Sequence, residues 1–347
     1  MATTQAQPAA SFAEAIAITP LSSHTYSANL RTEWCIGTVP HGGYVTSIFY
    51  SVARKHMKTT HPTYHKGAPD PITVYLTFIR RTNIGPALFT VVDTKLGSRT
   101  STLHITLSQQ DPDGNRREEV AGYITVSHIA SEEGPSIERA FALTPPAPAV
   151  DLKQLASTGR SGEWNGFKVA FGSMRKASRH VEFYAPSTSA MVSRGFVEQW
   201  ARFAPYGKVG RWTDETLGFL ADMFPMMLES FDDKPWDKRS KEEKEKEKEK
   251  YAVGKDGKLS PKGKFWYPTI LLNLDVKKKL PAEGAEWLYS RVQTKKLHNG
   301  RMDLDVIIMD EKGEVVALSN HVALVIGAER NLSARKGSGK PSGESKI

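Results

Sequence analysis

The sequence predicts an α+β protein in which one unit, an apolar helix followed by an antiparallel meander, occurs twice. The first helix opens after Pro40-His41-Gly42-Gly43, where Tyr44, Ile48, Phe49 and Val52 recur at helical spacing. Four strand-like runs follow it. A second apolar helix over 214–231 is again followed by four such runs. The halves share this order with little residue identity, as duplicated units do.

Residues 1–20 are rich in Ala, Thr, Gln and Pro and are expected to form a flexible N-terminus, loose until Phe12-Ala13-Glu14-Ala15. The first unit is expected over 21–130. It starts with a short strand from His24 to Leu30, then the segment Trp34 to Met57. Pro40 and the paired glycines stand where that helix begins. They leave backbone N–H groups uncovered at its positive end, a seat for a carbonyl oxygen or a phosphate. His56 to Asp70 reads as a polar loop. Its histidines, His56, His61 and His65, fit no metal-ligand spacing. They are expected to be solvated, and no metal site is expected. Strands are expected from Ile72 to Ile79, Ala87 to Leu96, Arg99 to Gln110 and Glu118 to His128. Asp111-Pro112-Asp113-Gly114-Asn115 is a hairpin signal between the last two.

Residues 131–178 carry Pro135, Pro145, Pro146 and Pro148 and read as a connector packed partly on the surface. The second unit, 179–328, begins with strand-like Arg179 to Tyr184 and Gly195 to Ala204. Its helix, Asp214 to Phe231, is expected to be capped by Asp214 and kinked at Pro225. Strands follow over Tyr267 to Asp275, Glu286 to Lys296, Gly300 to Met309 and Glu314 to Ile326. An insertion over 234–264 contains alternating Lys and Glu and offers no core face. The basic, Gly/Ser-rich tail, 329–347, is expected to be disordered.

Composition narrows the function classes. The chain has 347 residues, and Lys plus Arg outnumber Asp plus Glu, 47 to 38. A basic protein can meet nucleic acid, membrane surfaces or small anions. The excess lies largely in the tail and loops, so nucleic acid is not expected as a partner. The single cysteine, Cys35, excludes an intramolecular disulfide and reads as a small buried residue. No Lys or Arg precedes Arg31, so neither a secretory signal nor a transit peptide is expected. No apolar run has membrane-spanning length, so no membrane span is expected. G-x-S-x-G, H-E-x-x-H, paired C-x-x-C and a strand-borne G-x-G-x-x-G do not occur, and no cofactor is expected. GSGKPSG in the tail lacks the spacing of a phosphate-binding loop.

The residue that points to chemistry is Asp222, a carboxylate among Phe219, Leu220, Met223 and Phe224. Burying it costs several kcal/mol unless it is hydrogen-bonded or used. An apolar setting would raise its pKa and suit it to deprotonating a water; the bland reading is an exposed or capping Asp. Thr269 and Asn273 stand on one following strand. On the last strand, alternation puts Ser319 and His321 on one face and Leu318 and Asn320 on the other.

Several segments together resemble the two-domain hotdog acyl-CoA thioesterases of the thioesterase II type. They are Trp34-x-x-Gly37…His41-Gly42-Gly43-Tyr44, Leu217-Gly218-Phe219-Leu220-Ala221-Asp222, Trp287-Leu288-Tyr289 and Gly313-Glu314-Val315-Val316-Ala317-Leu318-Ser319. The resemblance covers 20–130 and 180–327. It implies tandem hotdog domains, each an antiparallel sheet wrapped around a central helix. It implies hydrolysis of acyl-CoA or another acyl thioester by direct water attack. In that family an Asp, a Ser or Thr and a Gln act on the water; Asp222 and Thr269 fall on the first two positions, and His321 replaces the Gln. His41, Gly42, Gly43, Tyr44 and Asn273 are the substrate-binding candidates. Arg80, Arg81 or the run Lys277-Lys278-Lys279 would meet the CoA phosphates. Sheets of this fold pair within a tandem chain or between chains as a homo-oligomer. The alternatives are a hotdog dehydratase and a non-catalytic acyl-binding or biosynthetic accessory protein. A cytoplasmic location is expected, with Ser345-Lys346-Ile347 as a candidate peroxisomal address.

Overall fold

The computed structural model describes residues 10–137, 141–169, 172–186, 196–224, 240–242 and 265–332. Two units of the expected kind lie side by side. The first contains β1 (Thr25–Leu30), α1 (Gly42–Thr60), β2 (Asp70–Phe78), β3 (Gly85–Lys95), β4 (Ser101–Gln110) and β5 (Arg116–Ser127). The second contains β6 (Phe196–Phe203), α2 (Leu217–Ala221), β7 (Thr269–Val276), β8 (Trp287–Gln293), β9 (Arg301–Met309) and β10 (Val315–Leu324).

All ten strands belong to one antiparallel sheet, in the order β1-β3-β4-β5-β2-β7-β10-β9-β8-β6. The order read outward from the β2–β7 seam is the same in both directions, so the two units are related by a pseudo-twofold. At that seam Leu272 pairs with Leu76, Asn273 with Tyr75 and Leu274 with Val74. This is the tandem hotdog arrangement. In each unit the sheet wraps the helix because one face of every strand is apolar. On β4, Leu103, Ile105 and Leu107 are fully buried at alternate positions. On α1, Tyr44, Ile48, Phe49, Val52 and Met57 are buried against the sheet, and Phe49 meets Phe89 edge-on at 5.2 Å.

Several expectations require correction. Residues 10–20 pack into the protein: Ser11 and Glu14 form a capping box over a short helix, Phe12–Ala15. Phe12 is buried, 4.8 Å from Trp34, 5.6 Å from Phe203 and 5.1 Å from Phe219, and so links both units. The connector is partly sheet. Its segment Trp164–Phe167 pairs with Val181–Ala185, which pairs with β6, and Trp164 is buried in a second apolar cluster. The tail is anchored at its start: Asn331 is fully buried, its Nδ2 donates to Ile36 O, and Thr38 N–H donates to its Oδ1. His56 belongs to α1, whose apolar face outruns the expected loop boundary, and His56 and His65 are buried rather than solvated. Asp214 accepts Leu280 N–H at 2.9 Å; the cap at this helix start is Thr213 with Thr216.

Pro225, most of the 234–264 insertion and Ser345–Ile347 lie outside the described residues. No helix among the described residues is long and apolar enough to cross a membrane.

Candidate active site

The two central helices touch backbone to backbone. A Cβ on Gly43 would lie 2.4 Å from Gly218 O, and one on Gly218 would lie 2.8 Å from Thr46 Cγ2. Glycine at both positions is therefore a steric requirement. The contact lays the end of α2 against the start of α1. Asp222, the residue after α2, is 6% exposed. Its Oδ2 accepts Gly43 N–H at 2.8 Å, and its Oδ1 accepts the Thr269 hydroxyl at 3.0 Å. His41, which precedes α1, places Nε2 3.0 Å from Asp222 O and 3.4 Å from Oδ2. His321 on β10 places Nε2 3.5 Å from Asp222 Oδ1. Residues from three separate segments (His41 with Gly43, Thr269, and His321) thus converge on one carboxylate.

Ser319 fixes the ring of His321. Its hydroxyl donates to Asn273 O, so toward His321 Nδ1, 3.3 Å away, it can only accept. Nδ1 carries the proton, and in the neutral ring Nε2 turns a lone pair toward Asp222.

The electrostatics differ from expectation. Burial alone would raise the Asp222 carboxyl. His41 and the Gly43 N–H oppose it, and the group is held below the ordinary carboxylate value. Asp222 is ionised at neutral pH. Burial lowers the pKa of His41 despite the adjacent carboxylate.

A cavity of about 460 Å³ opens onto this group. Its wall carries His41, Gly42, Asp222 and Thr269, with Phe78, Met223, Phe224 and Tyr267 as apolar lining. Arg80, Arg81 and Arg175 also line it.

Asp222, Thr269, His321, His41, Gly42 and Gly43 are brought together; two other candidates are not. Tyr44 is fully buried in the core, donating its hydroxyl to Ala15 O at 2.8 Å. Asn273 lies on the opposite strand face from buried Leu272 and Leu274. A bulge between Thr269 and Leu271 shifts the alternation, so Thr269 and Leu272 share the inner face and Asn273 does not. Lys277, Lys278 and Lys279 pair with Asp275, Asp310 and Asp70, away from the cavity. Sequence reading did not single out Gly218 or Gln199. Gln199 is buried and donates Nε2 to Met223 O at 2.7 Å, steadying the turn that carries Asp222. A glycine inside an apolar helix was the available signal for Gly218.

Fold and site define a double hotdog protein with a buried carboxylate where its two central helices meet. The chain belongs to the acyl-CoA thioesterase family: residues 30–127 match the model of the N-terminal domain and residues 149–325 that of the C-terminal domain. It is 34% identical over 348 residues to the thioesterase-like protein TwmA of Talaromyces wortmannii, covering 95% of this chain and 96% of that one. Among solved structures it is similar to the acyl-CoA thioesterase II TesB2 of Mycobacterium marinum, with TM-score 0.55 and 14% identity over 91% of this chain and 98% of that one. A hot dog fold protein of unknown function from Alicyclobacillus acidocaldarius gives TM-score 0.62 and 14% identity, with the same coverage. At these identities the structural likeness speaks for the fold.

Proposed function

We propose that the protein hydrolyses acyl thioesters, acyl-CoA esters in particular, by direct attack of water. The observation that supports this most is the convergence of Thr269, His321 and the Gly43 N–H on the buried carboxylate of Asp222, at the wall of a cavity. A water between Asp222 Oδ1 and His321 Nε2 would donate one hydrogen to each. Asp222 takes one proton as the oxygen attacks the thioester carbonyl. The Thr269 hydroxyl fixes the rotamer of the base. Negative charge forms on the carbonyl oxygen beside the first turn of α1, where Gly42 N–H and the helix dipole favour it. The intermediate collapses, the C–S bond breaks, and the thiolate takes the proton from Asp222. The products are a carboxylic acid and a free thiol. The acyl group lies against Phe78, Met223 and Phe224, and Arg80, Arg81 and Arg175 meet the phosphates of the thiol carrier.

The test is thiol release from a panel of acyl-CoA esters by wild type and Asp222→Asn. Turnover by wild type and its loss in the variant are expected. Equal rates would remove Asp222 from the mechanism. Binding of acyl-CoA without turnover by wild type would make the protein an acyl-binding one instead.

A further inference from the structure

A second constellation sits at the other end of α1. His24, just before β1, and His56 and His61, at the end of α1, all aim Nε2 at the carboxylate of Asp93 on β3. The distances are 3.0 Å from His24 to Oδ2, 2.8 Å from His56 to Oδ1 and 2.8 Å from His61 to Oδ2. One donor atom from each residue lies within 4.8 Å of all the others. The His56 side chain has no exposure, His61 and Asp93 have 17% and 19%, and His24 has 41%, so the group opens to solvent on one side only.

The outer contacts matter as much as the convergence. His56 Nδ1 lies 2.9 Å from Ser23 O, and His24 Nδ1 lies 2.8 Å from Ser23 Oγ. A carbonyl only accepts, and the Tyr26 hydroxyl, 3.1 Å from the same Nδ1, donates its own proton to Ser23 O, so His56 donates from Nδ1. Its neutral ring then turns a bare Nε2 lone pair toward a carboxylate oxygen at 2.8 Å. Two acceptors at that distance repel unless a cation or a proton lies between them. An imidazole whose outer nitrogen donates to a carbonyl is also the arrangement that orients metal-bound histidines.

We propose that His24, His56, His61 and Asp93 form a site for a divalent transition-metal cation of the zinc class. Three imidazole nitrogens and one carboxylate oxygen suit Zn²⁺, whereas Ca²⁺ and Mg²⁺ prefer sets of oxygen ligands. Four protein ligands complete a tetrahedron, so the role is structural. Ligand atoms about 2.1 Å from zinc would stand roughly 3.4 Å apart in a tetrahedron, which small side-chain shifts reach from the observed positions. A cation there would tie the entry to β1, the end of β3 and the C-terminal turn of α1 together, at the helix end that favours positive charge. From Gly43 to His56 the helix rises by about 20 Å, at about 1.5 Å per residue, so the site is separate from Asp222.

The test uses the untagged full-length chain, stripped with chelator and titrated with Zn²⁺ by calorimetry, with thermal unfolding in parallel. About one Zn²⁺ per chain and a zinc-dependent rise in Tm are expected. Co²⁺ should give the visible absorption of a tetrahedral site. His61→Ala and Asp93→Asn should each weaken Zn²⁺ binding by more than about tenfold and abolish the zinc-dependent rise. His24→Ala, at the exposed edge, serves the same purpose if the more buried variants unfold. Lack of stoichiometric Zn²⁺ binding by wild type would overturn the proposal. So would undiminished binding in both His24→Ala and His61→Ala. In either case the cluster is a hydrogen-bonded histidine–aspartate staple only, and Asp93→Asn then lowers Tm equally with and without zinc.

Discussion

Gly43 N–H donates to Asp222 Oδ2 at 2.8 Å, across the junction between the two units. The bond joins the first turn of one central helix to the residue that ends the other. It needs the glycine–glycine crossing of Gly43 and Gly218, so the position of the carboxylate depends on how the units dock.

Asp222→Asn keeps an acceptor for Gly43 N–H and removes the base. Thiol release should fall by about 10²–10⁴-fold in kcat/KM, while Tm stays within a few degrees of wild type. Circular dichroism melts alongside the kinetic assay check both halves of this expectation.

Gly43→Ala places a methyl 2.4 Å from Gly218 O, where backbone cannot yield. The helices must separate, at a cost of about 1–3 kcal/mol in denaturant unfolding. Activity should fall more steeply than stability, because Asp222 moves with α2.

His321→Gln and His321→Ala separate a water contact from a packing role. Glutamine restores a polar group near Asp222 Oδ1 and should retain activity within about tenfold of wild type. Alanine should lose about 100-fold or more. Equal rates for all three proteins would place His321 outside the reaction.

Arg80→Ala and Arg175→Ala should raise KM for acyl-CoA several-fold with kcat little changed. Short acyl thioesters without phosphate should show no such effect. A uniform change for both substrates would mean the cavity itself had altered.

Acid should unfold the protein before it silences Asp222. His180 is stacked on Trp34 at 3.8 Å, and burial lowers its pKa from 6.5 to about 4. The folded state thus favours the neutral ring. Its contribution is complete above pH 6.5. Below that the unfolded chain takes up the proton first, and stability is lost down to about pH 4. His41 and His56 are lowered in the same direction by burial. Tm should therefore fall by roughly 5 °C or more between pH 7 and pH 4.5. Asp222, held below the ordinary carboxylate value, stays ionised over that range.

The repeat was readable from sequence because alternating apolar positions on strands such as β4 and the stripe on α1 are local patterns. The site was readable to the extent that a carboxylate among apolar residues is anomalous at Asp222. Non-local features were not readable. The bulge after Thr269 reverses the faces that plain alternation assigns, which misplaced Asn273. Asn331 holds Thr38 from nearly the whole chain away, and Phe12 reaches the core from a segment of loose composition. His24 and Asp93 lie 69 positions apart and meet only because β1 pairs with β3.

The crossing glycines also reveal an asymmetry. Gly218, the second residue of α2, stands one helical turn before Asp222, and Gly43, the second residue of α1, stands one turn before Ser47, whose hydroxyl folds back onto Gly43 O at 3.0 Å. Of the two equivalent corners of the pseudo-twofold, one carries a charge and the other a sealed hydroxyl. Two identical subunits would have had to carry the same residue at both. Joining the halves in one chain lets the corners diverge, and a tight-binding substrate mimic should saturate this protein at one molecule per polypeptide.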